Sequence, residues 1–390
     1  MFVCWFGMFM TGIGLSQIAP ILPLYIKHLG VSDAGSIARF SGLAFGVTFI
    51  VSAVFSPIWG SAADKFGRKP MLLRASLGMA VIISCMGFVT NVTALIGLRL
   101  MQGAISGYGT ACTTLIATQT DKEHAGYALG TLSTALIAGS LIGPSIGGFI
   151  EDSVGFQPVF FIIGFLMFLT FLVTLFFVKE DFVREEKKER SAREVWNDVP
   201  EKRLTVVLCV TYFIITLSLY MVEPIVTEYV SELSRQANHV ALVSGLVFSA
   251  AGLSNILAAP WLGKLSDRIG ASKVLLFMLI AAGIFYIPQA FVTNPWQLLG
   301  FRLLLGLAMG GLEPSVNTLV KKITPESITG RIFGFTISAA YLGTFAGSVT
   351  GGQVAAAFGI RCVFIAASAL LLFNSVWVYF NVYKKLKSKE

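Results

Sequence analysis

Charge is scarce in this chain. Asp, Glu, Lys and Arg make up 13% of its 390 residues, against roughly 25% in a soluble domain. That is too little polar surface to cover a water-soluble core of this length, and it excludes an ordinary globular enzyme. A bilayer removes the need, because the exterior of an embedded protein is apolar too. Histidine is rarer still: His28, His124 and His239 are the only three, all expected in surface loops. The five cysteines (Cys4, Cys85, Cys112, Cys209, Cys362) are scattered in or beside apolar segments. No spacing among them marks a metal site or a disulfide framework, so they read as reduced packing residues, and no cofactor is implied. The net charge of +8 sits in short loops between apolar runs. It therefore reads as membrane orientation, not as a nucleic-acid surface. A cleavable signal peptide is also missing: the run from Phe2 to Leu24 is long enough to span and has no small-residue cleavage site. No basic tail precedes it, which leaves room for a start upstream of Met1.

What the chain has is apolar length. Hydrophobic residues reach 55%, with 39 glycines that suit closely packed membrane helices. A spanning helix needs about 20 mainly apolar residues. Twelve such segments are expected, near 2–24, 39–60, 71–90, 92–113, 127–149, 159–178, 204–226, 240–262, 274–292, 296–318, 331–353 and 361–383. The mixed-charge stretch 180–203, with Val183, Val195 and Trp196 as isolated apolar points, is expected to be a cytoplasmic linker, partly helical on the membrane surface. It separates two bundles, 1–179 and 204–390. If the chain starts inside, only Lys27, Arg39, Arg235 and Arg361 fall in outside loops. Arg99 and Arg302 are intramembrane, and all other Lys and Arg belong to inside loops and the tail. This asymmetry predicts a multi-pass protein with both termini cytoplasmic.

The two halves repeat. A shift of 203 residues carries Pro57 to Pro260, Gly60 to Gly263, Asp64 to Asp267, Gly67 to Gly270, Arg99 to Arg302 and Gly103 to Gly306. A shift of 204 carries Pro20 to Pro224, Tyr25 to Tyr229, Gly143 to Gly347 and Val159-Phe160 to Val363-Phe364. Matched Asp, Arg and Pro in one order are hard to obtain by chance. Six spans per half is even, so the halves run parallel.

The loop after the second span reads Gly60-Ser-Ala-Ala-Asp64-Lys-Phe-Gly67-Arg68-Lys69-Pro70, and its copy keeps Gly263, Asp267 and Gly270. Here the chain resembles the major facilitator superfamily, whose signature in this loop is G-x-x-x-D-x-x-G-R-[KR]. The copy has Ala271-Ser272 where Arg68-Lys69 would fall. Glycines let helix ends approach, and Asp64 is placed to accept from a helix N-terminus or pair with a base. In the family this loop closes the cytoplasmic side.

The fifth span contains Gly139, Gly143, Pro144, Gly147 and Gly148. It resembles the family's antiporter motif, G-x-x-x-G-P-x-x-G-G, found in exporters. The copy Gly347-Ser-Val-Thr-Gly351-Gly352 lacks the proline. The i, i+4, i+8 glycines admit a close helix, and Pro144 permits a bend. Arg99 resembles the family's fourth-span arginine, linked to proton transfer in antiporters. The alternative is a structural arginine bonded to backbone carbonyls, and the same choice is open for Arg302.

Two acids lie in apolar helices, Glu223 before Pro224 and Glu313 before Pro314. Thr216, Tyr220, Glu223 and Thr227 follow i, i+4, i+7, i+11 and form one expected polar stripe. Glu313 and Asn317 share a face with Met309. Arg302 lies roughly 16 Å along the axis from Glu313 and cannot pair with it. Competition of proton and cation for one buried carboxylate is sufficient for antiport, so Glu313, then Glu223, are the candidate proton sites. Gln17, Gln102, Thr216, Tyr220, Met309, Asn317 and Tyr341 are candidate cavity residues. The first span has Thr11, Ser16 and Gln17 but no acid, unlike several drug exporters of the family.

The resemblance extends from Met1 to about Tyr383 and is closest to the bacterial twelve-helix drug:proton antiporters. It implies alternating access of two six-helix halves, a place in the bacterial cytoplasmic membrane, and lipids, protons and lipophilic small molecules as partners of a monomer. Export of one physiological compound is the alternative, and uptake symport a third. A membrane receptor or intramembrane enzyme has no support in the sequence, which shows no nucleophile–base pairing.

Overall fold

The computed structural model describes residues 1–180, 182, 199–234 and 239–387. These are helical almost throughout, with no strand among the described residues. The first half runs α1 (Phe2–Ser16), α2 (Ile18–His28), α3 (Ala34–Phe66), α4 (Arg68–Met86), α5 (Val92–Ile105), α6 (Tyr108–Gln119), α7 (Lys122–Val154) and α8 (Phe156–Phe177). The second runs α9 (Lys202–Val222), a 3-10 turn (Glu223–Ile225), α10 (Val226–Leu233), α11 (Val240–Ile269), α12 (Ala271–Gln289), α13 (Pro295–Ile323), α14 (Glu326–Phe358) and α15 (Ile360–Val378). A π turn (Tyr379–Tyr383) and α16 (Lys384–Lys387) follow.

Among the described residues, eleven helical stretches are long and apolar enough to cross a bilayer. The expected fourth span is the twelfth, and it is broken. Ser106 is extended and Gly107 has φ +125°, which separates α5 from α6. The carbonyls freed by the break are taken up by side chains. Ser52 Oγ donates to Gly103 O at 3.1 Å, Trp59 Nε1 to Ala104 O at 2.6 Å, and Arg74 Nη2 to Ser106 O at 3.0 Å. The Arg74 guanidinium also lies 3.6 Å from the Trp59 ring centroid. The repeat places Asn255, Leu262 and Phe277 where Ser52, Trp59 and Arg74 stand. Without those donors the equivalent α13 runs unbroken.

By packing, the chain forms two compact units. One is Met1–Asp33, Leu43–Glu186 and Arg235–Ser249; the other is Ala34–Gly42, Lys187–Ser234 and Ala250–Glu390. Within the first, Tyr25 Oη donates to Met86 O at 2.6 Å, and its ring stands 4.9 Å from Phe160. Within the second, Tyr229 Oη donates to Gln289 O at 3.0 Å, with its ring 5.1 Å from Phe364. Every partner maps onto its counterpart by the repeat. Asn91 and Asn294 cap α5 and α13 in the same way, each accepting the backbone N–H three residues on. Gly67 and Gly270 open α4 and α12 with φ +93° and +98°, a left-handed conformation that a side chain would strain. Tyr25→Phe and Tyr229→Phe are each expected to cost about 1 kcal/mol. The two bonds share no partner, so the double variant should lose the sum in a thermal-unfolding measurement.

Phe165, Phe176 and Phe177 of the first unit and Phe277, Phe373 and Phe380 of the second are exposed. A lipid phase solvates such faces, whereas water would not. Two histidines differ from expectation: His28 closes α2, its ring 5.1 Å from Phe156, and His124 lies in the first turn of α7. The linker expected over 180–203 lies outside the described residues except at its ends. At the far end Lys385 Nζ stands 3.5 Å from Glu201 Oε2.

Candidate functional site

The second unit gathers the chemistry. Glu313 sits mid-way along α13, and its Oε1 accepts from Tyr212 Oη of α9 at 2.8 Å. Tyr212, Tyr220 and Tyr341, the last on α14, all lie within electrostatic range of one another or of this carboxylate. Glu313 is exposed while Tyr212 is buried. An exposed carboxylate on a spanning helix is costly against lipid unless it faces water or a partner. Tyr212 holds this carboxylate but escapes the sequence reading. It is one turn N-terminal to Thr216, and an i, i+4 step back along the stripe reaches it.

Glu223 is not the solvated end of one continuous stripe. The 3-10 turn begins at Glu223 because Pro224 has no N–H to continue the α-helix, and the helical register resets there. Thr227 is consequently fully buried. Thr216 is buried and returns its hydroxyl to Tyr212 O at 3.0 Å. Glu223 is half-buried, within the field of Arg302 and of the buried Tyr286 of α12. Arg302 is buried, within electrostatic range of Tyr286 and Glu223.

The first unit treats its arginine differently. Arg99 Nε donates to Ala44 O at 2.9 Å and Nη1 to Gln102 Oε1 at 2.6 Å. Gln102, expected at the cavity, is buried and held by this bond. Gln17 is buried at the α1–α2 junction. Met309 is buried, and Asn317 and Tyr341 are half-buried.

The loop between α3 and α4 is bonded from within. Arg68 Nη2 pairs with Asp64 Oδ1 at 2.5 Å and Nη1 donates to Ala63 O at 2.8 Å. Asp64 therefore pairs inside its own loop. The N-terminus of α4 is capped instead by Glu180, whose two carboxylate oxygens accept from the backbone N–H groups of Arg68 and Lys69, each at 2.7 Å. The sequence reading passes over Glu180, because nothing local links it to a loop more than a hundred residues away. Gly60 and Gly263 have open space around them, so close approach does not explain them here. Asp267 of the copy is exposed. Glu180→Gln is expected to lower stability by about 1–2 kcal/mol through lost charge on a helix N-terminus, read as a lower Tm of the detergent-purified chain.

The glycines of the fifth span lie against neighbouring helices. A β-carbon at Gly139 would overlap Phe9 O of α1, one at Gly143 would meet Ser16 Oγ, and one at Gly147 would lie 2.9 Å from Gln17 O. Gly148 abuts Ala241 O in the first turn of α11. Beside Pro144, Ser249 Oγ donates to Leu141 O at 2.6 Å and lies 2.9 Å from Ser145 Oγ. The copies at Gly347 and Gly351 close on Leu217 and Met221 of α9, and Gly352 on Ala38.

Two parallel six-helix repeats, twelve crossings and ionisable side chains inside them define a membrane transporter rather than an enzyme. The chain belongs to the Major Facilitator Superfamily, whose family model matches residues 4–234 and 208–390. It is 41% identical over 389 residues to multidrug resistance protein MdtG of Salmonella arizonae, covering 100% of this chain and 96% of that one. To MdtG of Salmonella typhimurium it is 42% identical, covering 96% and 93%. A bacterial homolog of the human lysosomal transporter Spinster, in an inward-facing and occupied conformation, superposes with a TM-score of 0.82 at 13% identity over 99% of this chain and 97% of that one. The human organic anion transporter MFSD10 does so with a TM-score of 0.72 at 17% identity, over 96% and 98%.

Proposed function

We propose that this protein exports lipophilic and cationic drugs from a bacterial cell in exchange for protons. The observation that carries the reading is Glu313: an accessible carboxylate on a spanning helix, hydrogen-bonded to Tyr212. Relatives named multidrug resistance proteins, at 41–42% identity over nearly the whole chain, support the substrate class. In this reading Glu313 holds either a proton or a cation. Protonated, it is a neutral partner of Tyr212. Ionised, it attracts a cationic drug. Because one carboxylate cannot serve both at once, movement of one species in each direction is obligatory.

The bundles 1–179 and 204–390 alternate access, the 180–203 linker joins them on the cytoplasmic side, and both termini lie inside. The Asp64–Arg68 loop closes the cytoplasmic mouth, and a monomer suffices. The test uses purified chain in proteoliposomes with ethidium as probe. An imposed pH gradient should drive ethidium against its concentration gradient with matching proton movement. Flux indifferent to the gradient, for every cation tried, overturns the antiport reading and leaves export of one specific compound.

A further inference from the structure

Folding brings together two cysteines that stand 108 residues apart. Cys4 lies in the first turn of α1 and Cys112 in the second turn of α6. They are 4% and 0% exposed. Cys112 Sγ donates to Cys4 O at 3.8 Å, and the two thiols are within hydrogen-bond reach of each other. The close approach is built into the backbone, because a β-carbon at Gly7 of α1 would overlap Tyr108 Oη of α6. Two thioethers, Met8 of α1 and Met71 of α4, belong to the same buried cluster. Met8 follows Cys4 by one helical turn, and its Sδ would lie 3.8 Å from a β-carbon at Gly109 of α6. Four sulfur-bearing side chains thus share one apolar core. The repeat puts Leu208, Tyr212, Val274 and Ser315 at the four places, so the sulfur is peculiar to the first unit.

A buried cysteine packs as a small hydrophobe, and that accounts for burial at either position. It does not account for two thiols meeting from different helices in a core that also holds two thioethers. Thiolate and thioether are soft donors and select soft cations. Among the described residues no group of three or more His, Cys, Asp or Glu could hold a metal ion, so a tetrahedral zinc site lacks its ligands. A soft cation that takes two ligands in a line has no need of more. Charge selects further: two thiolates on a divalent ion sum to zero, and a neutral complex can stay in a dry core where a net charge is costly.

We propose that Cys4 and Cys112 form a binding site for a soft, two-coordinate divalent cation of the mercuric class, bridging α1 to α6. Each thiol gives up its proton as its sulfur binds. A mercuric ion and two thiols yield one neutral dithiolate complex and two protons, with nothing oxidised or reduced. The bridge ties α1 to the segment beyond the break at Ser106 and Gly107, and it needs no part of the antiport reading.

The test uses the purified full chain carrying Cys85→Ser, Cys209→Ser and Cys362→Ser, because Cys85 and Cys362 are exposed and Cys209 is half-buried, so each could take the probe by itself. This parent chain is reduced with a phosphine, freed of reductant and given mercuric chloride. It should retain about one mercuric ion per chain through gel filtration and release about two protons. A thiolate-to-mercury charge-transfer band should appear in the ultraviolet, and the Tm should rise because the ion binds only the folded site. Adding Cys4→Ser or Cys112→Ser should remove the Tm gain and at least one of the two protons. Undiminished binding in either variant overturns the pair, and so does release of a single proton, or no uptake, by the folded parent chain. An equal Tm gain with zinc chloride overturns the soft-cation assignment. If Cys112→Ser does not fold, Cys112→Ala brings no hydroxyl into the core and takes its place, and Cys4→Ser, at the start of α1, judges the pair alone.

Discussion

Glu313→Gln is expected to bring gradient-driven ethidium export to background while the protein remains folded in the membrane. The substitution keeps the size of the side chain and an oxygen that accepts from Tyr212 Oη, so the 2.8 Å contact between α9 and α13 survives. What it removes is the ability to take a proton and to carry negative charge. A neutral amide has no electrostatic attraction for a cation, and it has nothing to exchange. Coupling of ethidium movement to proton movement should be lost in the variant. Glu313→Asp keeps the charge but shortens its reach to Tyr212, and should retain coupled transport at a reduced rate. The measurement is ethidium efflux against proton influx in proteoliposomes at matched protein content. Full coupled transport by the Gln variant would remove Glu313 from the mechanism.

The second large effect belongs to packing. Gly139→Ala should destabilise the chain by about 2–3 kcal/mol. Its β-carbon would overlap the Phe9 carbonyl and lie 3.0 Å from the Ile13 nitrogen. Both obstacles are backbone, which cannot rotate aside as a side chain would. The α1–α7 contact must therefore widen, and it does so along the face where Gly143 and Gly147 also meet α1 and Gln17. Gly347→Ala should behave alike, since its β-carbon would meet the backbone of Leu217, with Leu217 Cα at 2.9 Å. Gly130 and Gly334 supply the contrast on the same two helices. Each has open space around it, so Ala there should be neutral or stabilising by up to about 1 kcal/mol through helix propensity. Thermal unfolding in detergent checks all four. Equal loss at Gly130 and Gly139 would mean that helix flexibility, not interhelical distance, sets the effect.

These outcomes mark where the sequence was legible. The glycine ladder could be read because a helix converts i, i+4, i+8 into one face, whatever lies opposite. The paired Tyr25 and Tyr229 could be matched by counting, though not their acceptors, which sit on other helices. Break points were harder. The fourth span looks as continuous as the tenth, because both carry glycine at the same repeat position. The deciding donors, Ser52, Trp59 and Arg74, come from other helices and are invisible to a local window. The bond that Arg99 makes to Gln102 inside the bundle is hidden in the same way.

By itself the sequence determined the solvent, the number of crossings, the parallel duplication and the glycine faces. Each of these follows from composition, run length or helical period, which are properties of the chain before it folds. Tertiary structure decided which polar side chains are committed and which remain available. Glu180 rather than Asp64 caps α4, Tyr212 joins Glu313, and Arg99 holds Gln102 where the repeat gives Arg302 a leucine. Those choices depend on distances between helices far apart in the chain. In a low-dielectric interior a hydrogen bond or charge counts only against the groups that folding brings within a few ångströms of it.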